Sequence, residues 1–156
     1  MADIASAKAV YATIIKALDS ENLKYKRDDE NFRIDISFST DDLDVKLIFS
    51  VDEDRDLIRL LSFLPGSFPE DKRIEGAVAT SVANHNMVNG SFDFDLSDGE
   101  ILFKMTNSYR GCTIGIECIL YMLRVSLNTV DDYNDRFFAL AKGMITLQQF
   151  MAKESE

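Results

Sequence analysis

The chain has 156 residues, 46% hydrophobic and 28% charged, which fits one domain spanning residues 1–156 around a single core and excludes a chain disordered throughout. Its 27 acids against 17 Lys and Arg leave a formal net charge of -10 with no basic cluster, so a phosphate backbone is repelled and no nucleic-acid partner is expected. The start carries Asp3 and Lys8 where a secretory signal needs a basic stretch and then an unbroken apolar one, and the most apolar run, Cys118–Leu123, falls far short of the roughly 18–20 residues that span a bilayer; a cytoplasmic protein without membrane contact is the expectation.

Ile4, Val10, Tyr11, Ile14, Ile15 and Leu18 recur at a helical period, predicting a first helix that ends near Ser20. From Leu23 to Leu64 the period drops to two. Phe32, Ile34, Ile36 and Phe38 alternate with Arg33, Asp35 and Ser37; Leu43, Val45, Leu47, Phe49 and Val51 alternate with mostly polar neighbours. With two-residue tips at Asp29-Glu30, Thr40-Asp41 and Glu53-Asp54, a four-stranded antiparallel meander follows. It sets Tyr25 opposite Ile34, Ile34 opposite Leu47, Phe49 opposite Ile58, and Asp35 opposite Lys46.

Pro65–Glu70 reads as a loop closing in a capping box, Ser67 with Glu70, before a second helix whose small-residue stripe of Ile74, Ala77, Val78, Ser81, Val82 and His85 lets it lie close to another element, with His85 on its inner or boundary face. Asn89-Gly90 then opens a hairpin with Asp98-Gly99 at its tip, pairing Leu96 with Ile101, Phe94 with Phe103 and Asp93 with Lys104. The remainder is helical: Ile116 to Leu127, a re-start cap at Thr129 with Asp132, then a continuation to Gly143 as the residue past the helix end, and a short helix over Leu147–Lys153. The fold class is α+β, an antiparallel meander plus hairpin with flanking helices in the order α-β-β-β-β-α-β-β-α.

Chemistry is hard to find in these residues. His85 is the single histidine, and nothing near it in sequence orients it as a base. Cys112 and Cys118 match neither a zinc spacing nor a disulfide framework. Asp52-Glu53-Asp54-Arg55-Asp56 imitates the start of a calcium loop, but Leu57 and Phe63 stand where an EF-hand needs Gly and Glu. No catalytic residues, metal or cofactor are expected, and no enzyme.

Two surface features remain. Between Asp28 and Asp56 there are eleven acids against Arg33, Lys46 and Arg55. The first and third turns of a meander share one end, so Asp28, Asp29 and Glu30 join Asp52, Glu53 and Asp54 in an acidic lip, a set of solvated turns or a site for a basic partner. Meanwhile Ile48, Leu57, Leu61, Phe63 and Leu102 fall on the meander face opposite the main apolar one and need a cover, either a helix of the chain or a partner such as the other subunit of a homodimer.

The stretch Val45 to Pro65, the helix end Val82-Ala83-Asn84-His85-Asn86, the hairpin Ser91-Phe92-Asp93-Phe94-Asp95-Leu96 with Asp98-Gly99, and the closing Ile116 to Gly143 together resemble the YbjN family of small bacterial proteins, itself similar to class I type III secretion chaperones. The resemblance departs from that pattern in the extra short strand at Leu23–Asp28. It implies a small, acidic, cytoplasmic, non-enzymatic binding protein, chaperone-like or regulatory, that engages a protein or peptide client and is often dimeric. The alternative from another class is an acidic immunity or antitoxin-like protein that neutralises a basic partner through the lip.

Overall fold

Period-two alternation puts Ile34, Ile36, Leu47, Phe49, Ile58 and Leu60 on one face of a sheet, and each is at most 1% exposed. The computed structural model describes residues 4–39 and 43–154. In chain order these form α1 (Ile4–Ser20), β1 (Tyr25–Asp28), β2 (Arg33–Ser39), β3 (Asp44–Asp52) and β4 (Leu57–Ser67), then a 3-10 turn (Glu70–Lys72), α2 (Arg73–His85), β5 (Ser91–Phe94), β6 (Glu100–Ser108), α3 (Ile116–Ala141) and α4 (Leu147–Lys153). The strands make one six-stranded antiparallel sheet in the order β1-β2-β3-β4-β6-β5. It is the expected α+β arrangement, with the later hairpin joined to the meander through β4 and β6.

The expected registers are each displaced by two residues. Ile36, not Ile34, stands opposite both Tyr25 and Leu47, Phe49 stands opposite Leu60, and Phe92 opposite Phe103. Asp35 accordingly faces Ile48, and Leu96, expected opposite Ile101, sits in the turn, 54% exposed. For the first and third turns of the meander the cause is turn chemistry. A two-residue hairpin turn needs positive φ at one or both central residues, which Asp29-Glu30 and Glu53-Asp54 are poorly suited to supply. Four-residue turns confine that demand to their last residue, here Phe32 (φ 47), Asp56 (φ 55) and Gly99 (φ 80). An aspartate opens each of them: Asp28 accepts from the Asn31 N–H (3.2 Å), Asp52 from the Arg55 N–H (3.0 Å) and Asp95 from the Ser97 N–H (2.8 Å). A slip of two keeps every side chain on its face, so the inner and outer sets stand as expected although the partners change. The expected tip Thr40-Asp41 lies outside the described residues.

Every buried apolar side chain of the helices belongs to one core with the inner sheet face. Tyr11 fastens α1 to the first turn: its hydroxyl donates to Asp29 (2.9 Å) and lies 3.2 Å from the Arg33 carbonyl oxygen. Burial, then the hydrogen bond to the Asp29 carboxylate, pushes its pKa up to about 12.

Helix α2 differs most from expectation. Its buried residues are Gly76, Ala79, Thr80 and Ala83, whereas Ile74 is 71% and Val78 40% exposed, and His85 ends the helix exposed to solvent instead of on an inner or boundary face. The reason is proximity. A Cβ at Gly76 would stand 2.5 Å from the Phe94 ring and 2.8 Å from that of Phe68, so the helix lies against β5 through its smallest residues, not its most apolar ones. The capping box at Ser67 and Glu70 does not form; Ser67 ends β4, and the 3-10 turn before α2 has Pro69 as its N-cap residue, without a side-chain cap.

Helix α3 runs unbroken through Thr129 and Asp132, so no re-start occurs. Gly143 (φ 70) ends it, with Met144 N–H donating to the Ala139 carbonyl (2.8 Å) and Gly143 N–H to that of Leu140 (3.0 Å), the paired bonds of a Schellman motif. A capping box of Thr146 with Gln149 starts α4, which drives Phe150 into the core beside Phe137. Arg136 holds it there, paired to Glu154 and stacked over the Tyr133 and Phe150 rings.

Two substitutions test this packing. In Gly99→Ala a Cβ would lie 2.2 Å from the Phe68 carbonyl oxygen at a positive φ, so a loss of roughly 1–3 kcal/mol from backbone strain, with the clash in addition, should appear in urea unfolding. Asn84 closes the β5 edge, its amide donating to the Phe92 carbonyl (2.9 Å) while its oxygen accepts from the Phe92 N–H (2.7 Å). Asn84→Ala should therefore cost about 1–3 kcal/mol in the same assay and expose the Phe92 N–H to hydrogen exchange.

Candidate protein-binding surface

The outer sheet face has its own register. One row reads Lys26, Asp35, Ile48, Leu61, Lys104, Ser91 across the six strands; in the next, Ser37, Lys46, Phe63, Leu102 and Asp93 stand side by side from β2 to β5. Ile48 is thus the cross-strand partner of Leu61, and Phe63 that of Leu102. Ile48 is 8% exposed and the other three are half-buried, yet none belongs to the core that the helices close. Leu57, expected with them, is paired to Asp52 and Ser108 at the end of the sheet and is separated from the cluster by the polar row Ser50, Arg59, Thr106.

What shields the cluster is charge at its rim. The Lys46 ammonium lies 5.9 Å from the centre of the Phe63 ring, Lys104 pairs with Asp93, and Arg33 with Asp35 (2.9 Å). No helix of the described residues buries an apolar side chain on this face.

The register brings the acidic turns to one end of the sheet, Asp28, Asp29 and Glu30 in the first and Asp52, Glu53 and Asp54 in the third. It brings arginines there as well. Asp29 pairs with Arg27 (2.9 Å), Asp52 with Arg55 (3.0 Å) and Arg59, and Asp56 with Arg110 (2.8 Å). Arg27, Arg59 and Arg110 fall outside the acid-rich stretch of sequence, so a count along the chain misses them.

Elsewhere the side chains offer little reactive geometry. Cys112 is exposed; Cys118 is half-buried with its Sγ 3.0 Å from the Asn107 amide nitrogen. Among the described residues no three His, Cys, Asp or Glu side chains gather as a metal site, and no helix is long and apolar enough to cross a membrane.

No protein-family model matches this sequence, and no curated protein matches it. Solved structures do. The ExsC-ExsE complex matches with a TM-score of 0.56 at 15% identity, covering 83% of this chain and 93% of the other. The HopA1-SchA chaperone-effector complex matches at 0.52 and 13%, covering 88% and 98%. YbjN from E. coli matches at 0.56 and 10%, covering 84% and 88%. The fold is therefore of the YbjN and secretion-chaperone kind, as the pattern of elements implied.

The three capping carboxylates give this sheet an acid limit. Hydrogen bonds from the Asn31 side chain and backbone hold Asp28 below the usual carboxylate range, and those from Ser97 do so for Asp95. At Asp52 burial opposes ionisation, but the bonds from Arg55 and Arg59 outweigh it and its pKa is lowered too. A folded-state pKa below the unfolded value of about 3.9 makes the stabilisation fully present above that pH and lost as pH falls through the folded value. Asp52→Ala should cost roughly 1–3 kcal/mol at neutral pH. Thermal midpoints compared at pH 7 and pH 3 should show the variant losing less than the wild type on acidification.

Proposed function

We propose that this protein is a non-enzymatic binding protein, chaperone-like or regulatory, which works in the cytoplasm as a homodimer and engages a protein or peptide client, with the outer sheet face as a surface that receives a polypeptide. One observation carries the reading: Ile48, Leu61, Phe63 and Leu102 form an apolar centre on a sheet face outside the core that the helices close. Two of the similar structures are complexes of two proteins, which agrees with it.

The rival reading, an immunity-like protein that meets a basic partner at the lip, has less behind it. Asp28 and Asp52 are engaged in their own turns, and Asp29, Asp52 and Asp56 already face arginines, so much of the negative charge is matched internally.

Affinity capture from the native cytoplasm followed by mass spectrometry tests the two together. A client retained by the wild type and lost with Leu61→Asp plus Phe63→Asp supports the outer face; a basic toxin retained by that variant supports the lip. Because Leu61 and Phe63 are only half-buried in the single chain, the double variant should stay folded, with a thermal midpoint within a few degrees of wild type. Loss of association follows because a carboxylate buried at an interface without a partner costs several kcal/mol. Unfolding of the variant would instead assign these side chains to the core.

A further inference from the structure

We propose that the corner between α2 and β5 is a site of spontaneous covalent modification, at which the Asn89 side-chain amide is lost through a cyclic imide with Gly90 and the folded protein carries the aspartyl or iso-aspartyl product.

Asn89 is the one asparagine of the chain that precedes a glycine. A glycine there lets its backbone nitrogen approach the side-chain carbonyl of the residue before it, because no Cβ stands in the way. The fold leaves this pair open. Val88 is fully exposed, Asn89 is exposed, and both lie in the corner that joins the end of α2 to the start of β5. Among the described residues nothing accepts the Gly90 N–H, and the Asn89 amide makes a single long hydrogen bond, 3.5 Å from its nitrogen to the Tyr121 hydroxyl. Gly90 itself is seated on the core, since a Cβ there would stand 2.3 Å from the Phe103 ring. The rotation that brings the two groups together therefore falls on Val88 and Asn89, which pack against little.

The other glycine preceded by an acid or amide of this length shows how the fold shuts the same reaction off. At Asp98-Gly99 the Gly99 N–H donates to the Asp95 carbonyl (2.8 Å), and the Asp98 carboxylate accepts from the Glu100 N–H (2.8 Å). Both reacting groups are engaged there, and neither is firmly engaged at Asn89-Gly90.

The chemistry needs only water. The Gly90 nitrogen, giving up its proton, bonds to the Asn89 Cγ while the bond from Cγ to Nδ2 breaks, and ammonia leaves with that proton. Water then opens the imide at either carbonyl. Opening at Cγ restores the ordinary backbone with an aspartate; opening at the main-chain carbonyl leaves the chain running through Cγ, one carbon longer, with the α-carboxylate free. Either product is one charge more negative than the starting chain at -10.

The corner can absorb this change without unfolding. On one side Asn84 is clamped to Phe92 through both polar atoms of its amide, and on the other Gly90 rests on Phe103. The extra carbon lies between those anchors, beside side chains that face water. Modified protein accordingly accumulates in the folded state.

The test is incubation of the full chain in mildly alkaline buffer, native and unfolded in guanidinium chloride, with peptide mass spectrometry to locate the modified residue. Iso-aspartate is read by methyl transfer from a labelled sulfonium donor with an isoaspartyl carboxyl methyltransferase. Because opening of an exposed corner costs almost nothing, the native rate at Asn89 should lie within about fivefold of the unfolded rate. A native rate slower than that overturns the proposal, as does methyl labelling that persists in Asn89→Gln, whose imide ring would be larger and slower to close. Asn89→Ser serves as the second variant and should also abolish labelling. The modified protein, separated by anion exchange, should keep the Phe92 N–H as protected from hydrogen exchange as in the unmodified chain. Loss of that protection, or unfolding, overturns the claim that the folded state carries the product.

Discussion

All four helices of the described residues bury their apolar sides on the same face of one six-stranded sheet. That asymmetry governs the rest of the molecule. The covered face carries the core, and it tolerates almost no exposure from Ile34 through Phe103. The other face must satisfy itself with what its own strands supply: a lysine over an aromatic ring, two ion pairs and a short apolar centre.

The edges of the sheet are treated differently from each other. At β5 the Asn84 amide takes both the donor and the acceptor of Phe92, and Arg73 donates to the Ser97 carbonyl (2.7 Å), so α2 lies along that edge as if it were a further strand. This is the physical content of the Val82–Asn86 segment, and it explains why α2 faces inward with Gly76, Ala79 and Ala83. An edge can only be reached by a helix whose contact side is nearly flat, and an unblocked edge invites pairing with other chains. The helix consequently turns Ile74 and Val78 outward, a cost accepted at a site where closeness matters more than apolar area.

Turn chemistry links the sequence to the electrostatics. Asp28, Asp52 and Asp95 each open a four-residue turn that closes on a left-handed residue, and in each the carboxylate is held ionised by the turn it caps. Much of the acidity at that end of the meander is therefore structural. Of the arginines that accompany it, Arg27 and Arg55 are sequence neighbours of their acids, whereas Arg59 comes from β4 and Arg110 from the segment after β6, two places that only sheet formation brings together.

By itself the sequence determined the order of strands and flanking helices, the side of each strand that faces the core, the helix stop at Gly143 and the apolar set Ile48, Leu61, Phe63 and Leu102 on the far face. These follow from periodicity and from single residues with strong local preferences, which act within a few positions of the chain. Parity survives a register slip of two, so the faces were legible even where the partners were not. Tertiary structure alone decided the registers, the rotation of α2, the continuity of α3 past Thr129, the arginines among the acidic turns and the separation of Leu57 from its expected cluster. Each of these depends on which distant side chain arrives beside a given one, and on close approach between backbones, neither of which a pattern of hydrophobicity along one segment can encode.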